Sequence, residues 1–193
     1  MSLAPWRSLI TRALHKNRSL VYSCYVQLAT VRKNGLPANR TVVFRGFLED
    51  TNQLKFITDI RSAKAEQIPL QPAAEICWYF PNSREQFRIS GNLILITFNS
   101  HPHLQAARIK MWQELSDAAR LQFAWPDPGE MRVRTPEAFT PLAPDSMQPL
   151  ENFCLLLLEP TEVDHLELRG EPQNRTIYQL NENQEWYSEE VNP

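Results

Sequence analysis

The chain has 193 residues, 42% hydrophobic and 22% charged, a balance that suits one globular domain and excludes a disordered chain. Twenty basic against 22 acidic residues leave a net charge of −2, which argues against a surface built to coat nucleic acid. The longest apolar run, residues 153–158, is far short of the ~20 residues a membrane helix needs.

Three cysteines, Cys24, Cys77 and Cys154, lie far apart in apolar stretches, so neither a disulfide framework nor a zinc knuckle is expected. Trp6, Arg7, Arg12 and His15 interrupt any secretory core near the start, and a cytoplasmic location is expected. Fifteen prolines against five glycines suggest stiff loops and argue against a glycine-rich phosphate loop.

Residues 4–16 place Trp6, Leu9, Ile10, Ala13 and Leu14 on one helical face. Residues 22–32 are rich in Val, Thr, Tyr and Leu and predict a strand, followed by the hairpin signal Asn34-Gly35. Residues 40–48 and 53–60 predict the next two strands. Ser62 is placed to cap a short helix through Ile68. Residues 74–80 and 86–97 predict two more strands, and 102–124 one helix. Six prolines make 125–149 a long, stiff excursion of the kind that forms lids or partner contacts. Strands are expected at 152–163, 175–180 and 184–191.

Residues 1–193 are therefore expected to form one domain. Residues 1–100 supply the first helix and five strands, 101–149 the later helix and loop, and 150–193 the closing strands. Hairpin-linked strands with few helices between them predict a mainly β (α+β) fold, an antiparallel barrel with peripheral helices.

Hydrolytic and zinc chemistry find no support, because Gly-x-Ser-x-Gly, His-Glu-x-x-His and Cys-x-x-Cys patterns are missing. His101 and His103 sit two apart in a proline-containing turn and read as surface residues; no metal is expected. Four polar groups are more informative. Arg40 shares a strand face with Val42 and Phe44, where a guanidinium beside apolar groups needs an anion or acceptor. Residues 56–64 run from a strand into a helix start, with Thr58, Ser62, Arg61 and Lys64 offering hydroxyls and positive charge to a phosphate. Gln86 and Arg88 share a strand face, and a glutamine amide suits a ring edge of carbonyls and nitrogens. A polar turn then delivers Arg175 at the head of a strand.

These features occur together in Arg40-Thr41-Val42-Val43-Phe44-Arg45, residues 54–68, residues 85–91, residues 122–129 and Pro172-Gln173-Asn174-Arg175. The combination resembles the pyridoxamine 5′-phosphate oxidase-like family of FMN-binding split β-barrels, which have six to eight strands. It looks closest to the oxidase-related FMN-binding branch. The resemblance implies FMN as cofactor. Arg40, Val42 and Val43 would lie along it, and Ile57 and Thr58 would face its ribityl-phosphate. Ser62 and Lys64 would contact the phosphate. Ala63 stands where the oxidase has an arginine, and Arg61 would take over that arginine's part at the phosphate. Gln86 would meet the isoalloxazine edge, and Arg175 would also touch the flavin. His165 falls near a family tryptophan beside the ring.

On the substrate side, Arg45 stands where the oxidase has a lysine for the vitamin's phosphate. Trp112, Ser116 and Arg120 fall near its tyrosine, arginine and serine, in that order. Glu171-Pro172-Gln173 replaces an Arg-Leu-His element, and an acid there repels an anionic substrate.

The resemblance further implies a homodimer with FMN at the subunit interface, acting on a small molecule, with no nucleic acid or membrane partner. Six aromatics, Trp6, Trp78, Tyr79, Phe80, Trp112 and Trp125, suggest interface burial. The expected function is a flavin-dependent oxidoreductase of an unidentified small molecule, with no evident general base. The alternatives are a non-catalytic FMN store or ligand sensor, and a nucleic-acid-binding barrel.

Overall fold

The structure, a computed structural model, describes residues 3–193. Helix α1 (Pro5–Lys16) begins with a proline, where the missing N–H has no intrahelical acceptor to lose. Its Trp6, Ile10 and Ala13 are buried. Strands β1 (Tyr25–Val31) and β2 (Pro37–Val43) pair antiparallel. Gly35 makes the turn between them at φ 80°, a conformation open to glycine.

Two expectations shift here. Residues 22–24 belong to a 3₁₀ turn, Val21–Cys24, rather than to the first strand. The Ser23 carbonyl in that turn accepts the Trp78 indole N–H at 2.8 Å. The second strand starts earlier than expected and ends at Val43. Gly46, at φ 94°, turns the chain out of regular pairing. The backbone then bonds to β3 (Leu54–Asp59) through Arg45 N to Lys55 O at 2.9 Å and Lys55 N to Gly46 O at 2.8 Å.

Helix α2 (Ala63–Gln67) is followed by β4 (Ala73–Phe80) and β5 (Glu85–Ile96). The single helix expected over 102–124 is broken. It forms α3 (Pro102–Gln113), α4 (Asp117–Leu121) and a 3₁₀ turn, Gln122–Ala124. The break is chemical, because the Ser116 side chain accepts the Ala119 N–H and starts a new helix. Strands β6 (Phe153–Glu167), β7 (Asn174–Leu180) and β8 (Trp186–Val191) complete the chain.

The eight strands form one antiparallel sheet in the order β2-β1-β4-β5-β6-β7-β8, with β3 also paired to β6. The β3 bonds to Arg45 and Gly46 close β2, β1, β4, β5, β6 and β3 into a barrel. The expected split barrel is the observed fold. One edge of β6 pairs with β5. The other pairs first with β3 and then with β7.

Strand β6 is the shared wall of two cores. Leu156 and Leu158 face the barrel interior with Trp6, Trp78 and Phe80. Phe153, Leu155 and Leu157 face a second core with Trp112 and Leu115. Burial on both faces explains an unbroken apolar run where a half-buried strand would alternate. Four of the six aromatics expected to mark an interface, Trp6, Trp78, Phe80 and Trp112, are fully buried inside the chain instead. No helix among the described residues is long and apolar enough to cross a membrane.

Candidate functional site

A cavity of about 690 Å³ opens between β2, β3, α2 and the segment that follows α4. Arg40, Val42, Val43, Ile57, Thr58, Arg61, Ser62 and Lys64 all line it, as does Arg45. Eight of the ten residues expected at the cofactor thus share one cavity, although they come from two separate stretches of chain, 40–43 and 57–64.

The cavity has a cationic pole. Lys64 Nζ donates to Thr58 Oγ1 at 3.0 Å and to Ser62 Oγ at 3.3 Å. The two hydroxyls lie 3.1 Å apart. Burial, and then the nearby charge of Arg40, push the Lys64 amine below its ordinary pKa, against a smaller opposing pull from Asp59. Arg40 is fixed at the rim by bonds to Leu28 O at 3.2 Å and Thr30 Oγ1 at 2.7 Å. Two like charges held this close, over hydroxyls rather than carboxylates, form a site that favours an anion.

Ser62 precedes α2 as expected, but its side chain makes no capping bond. Its hydroxyl instead donates to Asp59 O at 2.7 Å, which folds the β3–α2 turn and aims the hydroxyl toward Lys64.

Arg61 lines the cavity, yet its donors are already engaged. Nε and Nη2 grip the Asp59 carboxylate at 2.9 and 2.6 Å. Nη2 also reaches Phe123 O at 3.2 Å, and Nη1 reaches Trp125 O at 3.2 Å and Asp127 Oδ1 at 2.6 Å. These bonds use all five guanidinium N–H groups. Arg61, expected at the phosphate in place of an arginine at position 63, thus has no N–H group free for it in this arrangement.

The opposite wall is the excursion after α4. Phe123, Trp125, Asp127, Met131, Arg132 and Phe139 line the cavity from that side. Trp125 meets Phe139 edge-on with ring centroids 5.9 Å apart, and Arg132 lies 4.1 Å over the Phe139 ring. Sequence reasoning placed none of these residues at the site, although the Trp125-Pro126-Asp127 stretch belongs to a matching motif. Arg45 Nε and Trp125 Nε1 are buried without a hydrogen-bond partner among the described residues.

The remaining candidates lie elsewhere. Trp112 is fully buried in the second core and donates to Asp145 O at 2.8 Å. Arg120, also buried, bonds to Trp112 O, Leu115 O and Asp117. Neither of these two expected substrate residues lines the cavity; their side chains hold α3 to α4 and to Asp145. Gln86 and Arg175 lie at the far end of β6, each opposite Leu166. Arg175 grips Asp164 in a two-pronged pair at 3.0 and 2.8 Å, and Arg88 binds the same carboxylate at 2.9 Å. His165 is buried, stacked on Phe87 at 4.2 Å and bonded to Glu85 at 3.2 Å, away from the cavity. His101 and His103 are exposed at the start of α3.

The pyridoxamine 5′-phosphate oxidase, FMN-binding domain family matches residues 3–97. The chain is 39% identical to pyridoxine/pyridoxamine 5′-phosphate oxidase 2 of Arabidopsis thaliana over 99% of its own length and 98% of the relative's. A solved structure of a pyridoxamine 5′-phosphate oxidase-related, FMN binding protein from Nostoc punctiforme superposes with a TM-score of 0.98. It is 69% identical, with both chains fully covered. PhzG from Burkholderia lata 383, solved with tetrahydrophenazine-1-carboxylic acid, gives a TM-score of 0.77 at 18% identity, covering 100% of this chain and 98% of that one. That last likeness is one of fold. With a relative aligned end to end and the same barrel beneath it, this chain belongs to the FMN-binding pyridoxamine 5′-phosphate oxidase family.

Proposed function

We propose that this cavity binds FMN and that the protein is a flavin-dependent oxidoreductase of a small organic molecule. The observation that carries the reading is the Lys64 amine, held against Thr58 and Ser62 beside Arg40. The carboxylate acting on it, Asp59, is already gripped by Arg61 and Asn152. A phosphate dianion supplies the charge that this cluster favours.

Bound there, FMN supplies two-electron chemistry, and the protein's part is to hold and orient it. Lys64, Thr58 and Ser62 hold the phosphate, while Arg40, Val42 and Val43 flank the chain that follows it. Phe123, Trp125 and Phe139 exclude water from the opposite side. Arg45 offers a cation to the substrate end of the cavity. With Trp112 and Arg120 buried away from that end, the site favours a substrate other than, or bound differently from, the vitamin phosphate.

Gln86 and Arg175 lie outside the cavity of their own chain. They join the site if a second copy presents its β5–β7 face to it, which supports a homodimer with the flavin between subunits.

The test is the visible spectrum of the purified protein and a titration of its FMN-free form with FMN. Bound flavin with an absorbance near that of free FMN, lost in a Lys64→Ala variant, supports the reading. A colourless protein that FMN neither binds nor stabilises refutes it. A metabolite screen for bleaching of the bound flavin then identifies the substrate.

A further inference from the structure

The Pro-rich excursion is tied to the anion cradle at one point. Arg61 sits on the β3–α2 turn and reaches both sides, gripping Asp59 on its own turn and Asp127, Trp125 O and Phe123 O on the facing wall. Its backbone N–H also donates to Asp59 Oδ1 at 2.8 Å. Asn152 doubles the link, donating to Asp59 Oδ2 at 2.7 Å and to Phe123 O at 2.8 Å. A planar guanidinium suits this bridging task, since its fixed fork can serve a carboxylate and three further acceptors at once, which an ammonium cannot.

The same turn carries the cradle. Asp59 O accepts Ser62 Oγ, and Ser62 Oγ accepts Lys64 Nζ. The clamp and the cradle therefore share Asp59: moving the wall pulls on the residue that orients Ser62.

We propose that Arg61 is a positioning residue that clamps the Phe123–Asp127 wall to the cradle, so that a phosphate-bearing ligand leaves the cavity only when this clamp opens. Arg61 acts through Asp59 and Asp127 and does not touch the phosphate. The ligand half of this inference rests on the FMN reading above; the attachment of the wall does not.

The experiment uses the full chain in two arms. In the first, FMN release from Arg61→Ala and Asp127→Ala is followed by recovery of flavin fluorescence on dilution. Release accelerates by about tenfold or more for Arg61→Ala and by less for Asp127→Ala, whose carboxylate is 58% exposed. Association rates and the slope of log affinity against log salt stay as in the wild type, because no phosphate partner is removed. Asp127→Glu, which keeps the carboxylate, restores slow release.

In the second arm, the FMN-free proteins are digested briefly with a protease. Both alanine variants are cut faster within residues 126–149 than the wild type. Unchanged release overturns the proposal, and so does a shallower salt slope, which would make Arg61 a direct phosphate ligand. If the wild type takes up no FMN, the function reading fails. Digestion then decides the clamp alone, with faster cutting supporting it and equal cutting overturning it. If Arg61→Ala does not fold, Asp127→Ala carries both arms.

Discussion

Arg120 donates to the carbonyl of Trp112 at 3.1 Å, joining inside the second core two residues whose motif positions point to a substrate pocket. The same guanidinium reaches Leu115 O at 2.5 Å, so it ties the end of α3 to α4. Removing it leaves buried carbonyls without their donor, at a cost of about 1–3 kcal/mol. Arg120→Ala is thus expected to lower the melting temperature by several degrees and leave FMN affinity unchanged. Thermal denaturation and FMN titration of one preparation check both halves, and weakened FMN binding in a stably folded variant would return Arg120 to the site.

Lys64 gives the opposite pattern. Its ammonium has hydroxyl partners and a cationic neighbour, so its removal falls on ligand binding. Lys64→Ala is expected to weaken FMN binding by about 1.5–3 kcal/mol, roughly ten- to a hundredfold. Because the amine pKa lies below its usual 10.5 and the bound phosphate favours the protonated form, affinity holds at neutral pH. It falls as the pH rises through that lowered value. Lys64→Arg keeps its charge throughout and should show no such alkaline decline. Titrations from neutral to alkaline pH measure the effect.

The barrel was legible because its strands are short, hairpin-linked and bounded by turn residues, and Asn34-Gly35 is a turn whose chemistry is local. The grouping at the cationic pole was legible for a similar reason, since Thr58, Ser62 and Lys64 lie within seven consecutive residues. The role of Arg61 was not legible: its five bonds include acceptors more than sixty positions away, and no spacing rule reports a backbone carbonyl. The burial of Trp112 and Arg120 was not legible because motif position does not reveal burial, and the Ser116 cap that turns α4 against α3 interrupts an otherwise helical pattern. Gly91 shows the same limit. It looks like an ordinary strand residue, yet a Cβ there would lie 2.0 Å from Glu159 O at the register shift between β5 and β6.

Glu85 supplies an acid-sensitive contribution to stability. Burial pushes its pKa up, but hydrogen bonds from His165 and Ser83, with the charge of Lys16, outweigh burial and hold the carboxyl below its ordinary 4.5. The native state thus binds this proton less readily than the unfolded chain. The stabilisation is present above about pH 4.5 and is lost as the pH falls through the lowered value. Glu85→Gln is expected to destabilise by roughly 1–3 kcal/mol at pH 7. Denaturant unfolding at pH 7 and below pH 4 should show the gap between wild type and variant closing in acid; a widening gap would contradict this account.

Arg175 tests where the second half of the flavin site comes from. Its chain position, opposite Leu166 on β6, lies at the far end of that strand from the Cys154 that pairs with Thr58. With Arg88 it places two guanidinium groups on the single Asp164 carboxylate. If this face completes a partner's cavity, each site draws Lys64 from one subunit and Arg175 from the other. Arg175→Ala should then weaken FMN binding without touching the cradle. In co-expressed Lys64→Ala and Arg175→Ala chains, a mixed dimer carries both lesions in one site and none in the other. Half the sites of the purified mixed dimer should therefore bind FMN with wild-type affinity, although neither homodimer does. A site built from one chain predicts no tight sites at all, and counting tightly bound flavin per dimer separates the two arrangements.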